Sequence, residues 1–348
     1  MRDAIQFVKF SDINLEDTFF DSLKADYSKF VQWFQGKADA DASAFVSYRE
    51  NSTLQGFLYL KKEEGEMSDV TPCLPAKNRL KIGTFKVDSH NTRMGERFFK
   101  KALEFAIEHD YDEVYATAYP KHEKLVQNFQ SLGFNVVAKK GDECVLAKDL
   151  RAFVGDPNLD YPRITKRGND KYLLSIYPKW HTEIFPDSAL FSERYNAIKD
   201  YSPTNSIHKI YVTFMPDTAR LKKGDLLVIY RTSDGLGSAW YRSVVTSVCV
   251  VEEARTSSHF VSEDEFLSFA KDYSVFSDAD LRLWYRNPKT VIIKMTYNVA
   301  LTRRLTRATL IQEVGLDQNA YFGFMKLTDN QFAQIIEKGE VNESYFVD

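Results

Sequence analysis

The chain has 348 residues, of which 44% are hydrophobic and 27% are charged, and its formal net charge is −3. A chain of this length and composition is typical of a globular protein with two or three domains. Its most apolar run, residues 244–251, is too short to span a membrane, and the amino terminus lacks the pattern of a signal peptide. We therefore expect a cytoplasmic protein without membrane contact.

Cysteine usage excludes two further classes of protein. Cys73, Cys144 and Cys249 are far apart and odd in number, and none belongs to a Cys-x-x-Cys pair. A disulfide framework needs paired cysteines, and a structural zinc site needs closely spaced ligands. We accordingly expect reduced thiols and no metal.

The first half of the chain predicts alternating helices and strands. Apolar residues at helical spacing predict one helix over 19–34. The runs 43–50 and 53–63 flank a polar turn and predict a hairpin. The charged stretch 61–66 and the proline-containing stretch 69–79 are interpreted as loops, the second as a candidate lip of an acceptor cleft. The other predicted elements are a strand at 79–87, a helix at 95–109, a strand at 112–119, a helix from 123 that stops at Gly133, and a strand at 144–150.

The second half is rich in strands and follows a stretch of prolines, glycines and asparagines at 153–171. Many strands at uneven spacing favour a small β-barrel, with short helices at 262–272 and 328–338. The predicted fold class is α+β. We predict a domain over 1–150 with a mixed β-sheet and flanking helices, a linker over 151–170, and a barrel domain over 171–348.

The junction between the strand ending at Val87 and the helix opening at Gly95 suits a phosphate group. The first N–H groups of a helix lack intrahelical partners, and the helix dipole is positive there. Glycine would also let a ligand approach the backbone closely. An ordinary strand–loop–helix unit is the alternative interpretation. Four basic residues lie nearby: Arg93, Arg97, Lys100 and Lys101.

The order of these elements and the segments 82–106 and 115–134 resemble the GNAT superfamily of acetyl-CoA-dependent N-acetyltransferases. The resemblance covers about residues 1–150. It implies that the strand at 81–87 diverges from its neighbour and pairs its main chain with the pantetheine arm, while the next loop wraps the pyrophosphate. The implied cofactor contacts are Phe85, Lys86 and Val87 for pantetheine, and Asn91, Thr92, Arg93, Met94, Gly95 and Glu96 for pyrophosphate.

Two departures from the GNAT pattern concern the loop and the proton donor. The segment 90–95 reads HNTRMG and keeps only the final glycine of the family's phosphate loop. Phe129 occupies the position of the tyrosine that protonates the leaving thiolate in many members, and a phenyl ring has no proton to donate. Tyr119, His122 or water would then serve, or the thiolate leaves unaided.

A third departure concerns the general base. The strand 79–87 has no carboxylate where many members of the family keep one. Glu63, Glu64 and Glu66 are near in sequence, although we interpret their stretch as a solvated loop. An enzyme that positions an already neutral amine needs no base.

The second half resembles the ASCH/PUA-like superfamily over about residues 170–348. The resemblance rests on the opening strand LLSIYPKW, a helix, and the segment KKGDLLVIY. It implies a small barrel that binds RNA or modified nucleobases. The family's Gly-x-Lys-x-x-Glu-x-Arg signature is missing, with Glu193 and Arg194 alone in that area, so we expect a binding domain and no amidohydrolase activity.

Charge near the carboxyl end predicts a surface for nucleic acid. Between Leu281 and Gln312 there are seven basic residues and no acidic one. Guanidinium groups beside aromatic rings suit phosphate contacts and base stacking. A solvated turn at 302–307 is the alternative interpretation. The predicted RNA or tRNA contacts are Arg286, Arg303, Arg304, Arg307 and Trp180.

Together these patterns favour an N-acetyltransferase that moves acetyl from acetyl-CoA to a primary amine, with a PUA-like domain that selects the acceptor. The first alternative is a non-catalytic module that senses acyl-CoA and binds nucleic acid. A second alternative places the chain in a bacterial toxin–antitoxin or defence setting, on the basis of the family resemblance alone. The acceptor and the oligomeric state stay open.

Overall fold

The computed structural model describes residues 5–49, 51–88, 92–188 and 202–348. The chain divides into two compact units, Met1–Ala152 and Phe153–Asp348. No helix in the described ranges is long and apolar enough to cross a lipid bilayer. Three residues named from the sequence lie outside those ranges: Asn91, Glu193 and Arg194.

Seven strands form one mixed sheet in the first unit. They are β1 Gln6–Lys9, β2 Ser43–Tyr48, β3 Leu54–Met67, β4 Leu74–Val87, β5 Glu113–Ala118, β6 Asn135–Lys140 and β7 Glu143–Asp149. Their order is β1-β2-β3-β4-β5-β7-β6. The strands β4 and β5 run parallel, and the other neighbours run antiparallel. The predicted hairpin is confirmed as β2 and β3, whereas β1 and β6 were not predicted because these short strands lie at the sheet edges and are partly exposed.

Four helices are found among the described residues of this unit: α1 Asp21–Asp26, α2 Phe30–Asp39, α3 Met94–Glu108 and α4 Glu123–Ser131. The last two confirm the predicted helices. The single helix predicted over 19–34 is wrong, because a 3₁₀ turn leads into α1 and the extended backbone of Tyr27 ends it. The break separates two helices whose aromatic residues still pack in one core, as Phe20 does with Phe30 and Phe34.

The charged stretch 61–66 is part of β3, so its interpretation as a loop is wrong. The strand continues to Met67 and pairs with β4. Charges two residues apart lie on the same face of a strand. They neutralise one another here, with 2.8 Å between Lys61 and Glu63 and 2.6 Å between Lys62 and Glu64. The predicted loop 69–79 is also partly strand, since β4 begins at Leu74.

A β-bulge at Gly83 marks the point where β4 leaves β5. Two adjacent residues of β3 pair with Ile82 and Thr84, which leaves Gly83 as the extra residue of β4. The last pair between β4 and β5 is Ile82 with Ala116. Beyond it, β4 stays paired with β3 and β5 stays paired with β7. The backbone groups that face each other across β4 and β5 therefore need other partners.

The second unit contains eight described strands. They are β8 Ile164–Thr165, β9 Lys171–Ile176, β10 His208–Thr213, β11 Leu226–Arg231, β12 Val244–Thr256, β13 Val291–Thr306, β14 Phe324–Leu327 and β15 Phe346–Val347. Six form a sheet in the order β10-β13-β12-β11-β9-β14, and β8 pairs with β15. All six strands of the larger sheet contribute side chains to one hydrophobic core.

The α-helices in the described part of this unit are α5 Pro178–Ile184, α6 Ser202–Asn205, α7 Ala239–Arg242, α8 Glu263–Lys271, α9 Asp278–Tyr285, α10 Arg307–Gln312 and α11 Asp329–Lys338. The predicted helices at 262–272 and 328–338 correspond to α8 and α11. Mixed sheets with helices in both units confirm the predicted α+β class.

The stretch predicted as a linker, 151–170, holds an ordered turn, and most of it belongs to the second unit. The Asp160 carboxylate accepts hydrogen bonds from the backbone N–H groups of residues 154–156. The buried Tyr161 hydroxyl donates to the Tyr297 carbonyl at 3.1 Å. The buried Asp160 and Tyr161 therefore hold the start of the second unit in an ordered conformation.

We expect Gly56→Ala to destabilise the first unit. A Cβ at this position of β3 would lie 2.2 Å from the fully buried Phe98 ring, and overpacking of a core costs roughly 1–3 kcal/mol. Gly36→Ala is the control, because its Cβ would meet nothing within 4 Å and alanine stabilises a helix by up to about 1 kcal/mol over glycine. Urea unfolding should give a lower free energy for the first variant alone; equal free energies would contradict this packing.

Candidate functional site

The end of β4 presents side chains to both faces of the sheet beyond the bulge. The Phe85 ring lies 4.7 Å from the Phe99 ring of α3. On the other face, the Lys86 ammonium donates to the Ser22 hydroxyl at 2.6 Å, and burial lowers the pKa of this lysine. Residues 85–87, the predicted pantetheine contacts, therefore lie where β4 no longer pairs with β5.

Helix α3 begins in the predicted pyrophosphate loop. Arg93 precedes its first turn with a left-handed backbone, φ +54°, and its guanidinium pairs with Glu96 at 2.7 Å. The N–H groups of Met94 and Gly95 have no intrahelical acceptor because they belong to the first turn. A Cβ built on Gly95 would meet one described side chain within 4 Å, Phe85 at 3.9 Å. The start of α3 thus has the features that suit an anion.

Phe129 lies in the core of the first unit. Its side chain is 1% exposed, and its ring centroid is 4.6 Å from Phe99 and 4.9 Å from Phe134. A tyrosine hydroxyl in this surrounding would need a buried partner. The structure therefore explains the phenylalanine by aromatic packing, and any proton donor must be another group.

Tyr119 and His122 lie in the bend between β5 and α4. Their ring centroids are 6.4 Å apart. His122 Nε2 is 3.8 Å from the Asp26 carboxylate, which also pairs with Lys121 at 2.9 Å. The Tyr119 ring lies 5.8 Å from Tyr27. Helix α1 and the residue after it therefore contact this bend, at the same end of the sheet where β4 and β5 stop pairing.

A polar cluster around Glu63 was not predicted. Tyr115 on β5 donates its hydroxyl to the Glu63 carboxylate, and the Lys81 ammonium of β4 lies 3.9 Å from the same carboxylate. Burial opposes ionisation of Glu63, but the hydrogen bonds from Lys61 and Tyr115 hold its pKa below the usual range. Burial lowers the pKa of Lys81. In the sequence, Lys61 and Glu63 are two residues apart, and charged residues at this spacing lie on the same face of a strand.

In the second unit, three of the predicted RNA contacts have separate surroundings. The Arg286 side chain is 72% exposed and lies 3.6 Å from Glu263. Arg303 is exposed. Trp180 is half-buried, and its ring centroid lies 4.8 Å from that of Phe276 at the edge of the core.

Arg304 lies near Arg231 and His181, two residues whose burial the sequence did not predict. Arg231 and Arg304 both act electrostatically on His181. Arg307 acts in the same way on Tyr230, whose side chain lies on the opposite face of β11 from Arg231. We call Arg231, Arg304 and His181 the arginine cluster. Hydropathy could not reveal it, because Arg231 and His181 occur in apolar segments and are buried.

His181 is neutral in the folded protein. Its side chain is fully buried, and Nε2 lies 2.8 Å from the Thr246 hydroxyl. Burial, reinforced by Arg231 and Arg304, lowers the pKa of His181 to about 3. The described residues contain no group of three or more His, Cys, Asp or Glu placed to hold a metal ion.

Comparison with known proteins finds partial similarity of structure. No protein-family model and no curated protein matches the sequence. The ASCH protein of Zymomonas mobilis is 10% identical with a TM-score of 0.33, over 48% of this chain and 94% of that protein. A GNAT-family acetyltransferase of Listeria monocytogenes is 15% identical with a TM-score of 0.30, over 41% and 95%. The N-acetyltransferase PseH of Campylobacter jejuni is 12% identical with a TM-score of 0.30, over 42% and 99%. These similarities include both an ASCH protein and GNAT proteins, each over about half of the chain, and carry no conclusion about its activity or ligands.

We expect His181 to make the second unit sensitive to acid. Its pKa is about 6.5 when unfolded and about 3 when folded, so below pH 6.5 the unfolded state binds more protons and stability falls as the pH falls. The slope reaches about 1.4 kcal/mol per pH unit for one proton. His181→Gln should remove that share of the slope. Urea unfolding at several pH values, followed by the fluorescence of Trp180, Trp240 and Trp284, measures it; identical slopes for the two proteins would contradict the neutral buried histidine.

Proposed function

We propose that the first unit binds acetyl-CoA and transfers its acetyl group to a primary amine. The observation that carries this proposal is the end of β4–β5 pairing at the Gly83 bulge, close to the start of α3. The main chain of residues 85–87 would pair with the pantetheine arm. The first turn of α3 would hold the pyrophosphate with its N–H groups. The proposed loop contacts are Thr92, Arg93, Met94, Gly95 and Glu96, with Asn91 outside the described ranges.

The transfer needs few protein groups. The amine nitrogen attacks the thioester carbonyl, the C–N bond forms, the C–S bond breaks, and the thiolate takes up a proton. Backbone N–H groups of β4 near the bulge would stabilise the negative oxygen. We propose His122 as the donor to the thiolate, with Tyr119 as the second candidate, because both lie in the bend after β5. Glu63 is ionised and would accept the amine proton through water.

A non-catalytic role is the second candidate for the first unit. It is favoured by Phe129, which fills the core where a proton donor would otherwise lie. Such a module would bind acyl-CoA through the same residues 85–87 and the start of α3 without turnover. Acetyl-CoA binding alone therefore does not distinguish the two roles, whereas release of coenzyme A in the presence of amines does.

For the second unit we propose a role in binding RNA or tRNA, which would select or hold the acceptor. Phosphate contacts would come from arginines and stacking from an aromatic ring. A bacterial setting, including a toxin–antitoxin or defence system, is proposed on the family resemblance alone, and a cytoplasmic location on the cysteine usage. The proposed contacts are Arg286, Arg303, Arg304, Arg307 and Trp180.

Gly95→Glu is expected to abolish binding of acetyl-CoA. The new carboxylate would stand at the start of α3, where it would crowd the pyrophosphate and repel its charge. Gly36→Glu adds the same charge to α2 of the same unit, where a Cβ meets nothing within 4 Å, and should bind normally. Calorimetric titration with acetyl-CoA and then coenzyme A measures both variants. Unchanged affinity of the Gly95 variant would remove the start of α3 from the site.

His122→Ala is expected to lower kcat about 100-fold, the usual share of a general acid, without changing the affinity for acetyl-CoA. Lys124→Ala, at the second residue of α4 and exposed, is the control and should keep full turnover. If Tyr119 is the donor, Tyr119→Phe shows the lowered kcat and His122→Ala does not. Thiol release during amine acetylation gives kcat, and full turnover by both variants would exclude both residues as donors.

A further inference from the structure

We propose that Tyr27, Tyr119 and Glu143 of the first unit form a subsite for an ammonium group, so that the acceptor amine carries a second positive charge, as an alkyl diamine does. The inference names the substrate class of this unit and rests on the proposed acetyl transfer, although binding of the amine is measurable without that reaction. The three residues follow α1, follow β5 and begin β7.

Contacts between segments far apart in the chain bring these side chains together. The Tyr27 hydroxyl donates to the Glu143 carboxylate at 3.2 Å. The centroids of the Tyr27 and Tyr119 rings are 5.8 Å apart. The extended backbone of Tyr27 ends α1, and the turn at 141–142 precedes Glu143. Three segments of the first unit thus place two phenol rings and one carboxylate around Tyr27.

The Glu143 carboxylate has a hydroxyl partner but no cationic one. Among the described residues it accepts a hydrogen bond from Tyr27 and forms no ion pair. A carboxylate has about four positions that accept hydrogen bonds, whereas an ammonium group only donates them. Glu143 is half-buried, and a charge withdrawn from water is unfavourable unless it is paired. The ammonium group of a substrate would supply the missing positive charge.

Both tyrosine rings are accessible in part and suit contact with a cation. Tyr27 is 36% exposed, and Tyr119 is half-buried. The face of an aromatic ring attracts an ammonium group within about 6 Å of its centroid. The unit already contains one such contact, because the Lys121 ammonium lies 5.2 Å from the Tyr119 centroid and 2.9 Å from the Asp26 carboxylate. Tyr27 and Glu143 offer a substrate the same combination of ring and carboxylate.

The charges around Tyr27 favour a cation over an anion. Burial and the Glu143 carboxylate raise the pKa of the Tyr27 phenol, and Asp26 acts in the same direction. The phenol therefore stays protonated and keeps donating to Glu143. Two lysines are near, but Lys121 pairs with Asp26, and the Lys86 ammonium is held by a hydroxyl of α1. Neither lysine neutralises Glu143, which is left for the substrate.

The subsite lies beside the residue that we propose as proton donor to the thiolate. The Tyr119 ring centroid is 6.4 Å from that of His122, and His122 Nε2 is 3.8 Å from the Asp26 carboxylate. The reacting amine must come close to the leaving thiolate and hence to His122. A linear diamine would place its uncharged nitrogen there and its ammonium group between the Tyr27 ring and Glu143. The second charge would thus position the first nitrogen for attack.

Titration calorimetry of the full chain with 1,4-diaminobutane, in the absence of acetyl-CoA, tests the subsite by itself. Glu143→Gln should weaken binding about tenfold, the loss expected for one charged hydrogen bond. Asp142→Asn removes the same charge from the adjacent, exposed residue and should change the affinity less than about twofold. Tyr27→Leu should weaken binding about fivefold, and Tyr27→Phe, which keeps the ring, should lose less. Absence of saturable binding at millimolar diamine, or an equal loss in the Asp142 variant, would overturn the subsite.

Release of coenzyme A with two acceptors of equal length, 1,4-diaminobutane and 4-aminobutan-1-ol, separates the subsite from the proposed transfer. In the unmodified protein kcat/KM should be about tenfold higher for the diamine, and Glu143→Gln should remove this difference by raising the KM of the diamine. Diamine binding that depends on Glu143, without thiol release from any amine, would support the subsite and contradict the transfer. Equal kcat/KM for both acceptors in the unmodified protein would overturn the assignment of a diamine.

Discussion

The bulge at Gly83 is the constraint on which the proposed site of the first unit depends. Up to Ile82, β4 and β5 pair with one another in parallel. Beyond Ile82, β4 pairs only with β3 and β5 pairs only with β7. One extra residue in β4 thereby leaves main-chain groups open in the middle of a sheet, next to the first turn of α3. Helix α1 contacts both sides of this point, through Lys86 on β4 and through the bend at His122.

The second unit also contains irregular strand pairing, with different side chains around it. Its longest strands, β12 and β13, pair with several shifts of register, and the shift opposite Thr246 carries Arg304. In the first unit the irregular pairing leaves backbone groups of β4 without a partner strand, and in the second it contains Arg304, which acts electrostatically on the buried His181. In both places one strand contains more residues than its partner, an irregularity that is common near functional sites.

The sequence predicted the elements whose pattern is local, and it failed where long-range packing decides. Helices α3 and α4 and the central hairpin follow from periodicity. The break of the first helix at Tyr27 could not be predicted from periodicity, because the aromatic residues on both sides of it keep helical spacing. The strand at 61–66 was hidden by its charges, which pair with one another. The burial of Arg231 and His181 was not predicted, because burial of a charged or titratable residue depends on partners far along the chain. The start of α3 was recognisable from the strand–loop–helix pattern around Gly95.

Hydrogen–deuterium exchange of the full chain, with and without acetyl-CoA, tests the central claim most directly. If the gap beside β4 holds the cofactor, the amides of residues 83–87 and the first turn of α3 gain protection, because they acquire hydrogen-bond partners. The arginine cluster of the second unit should exchange as before. Protection confined to other segments, or none at saturating cofactor, would contradict the account.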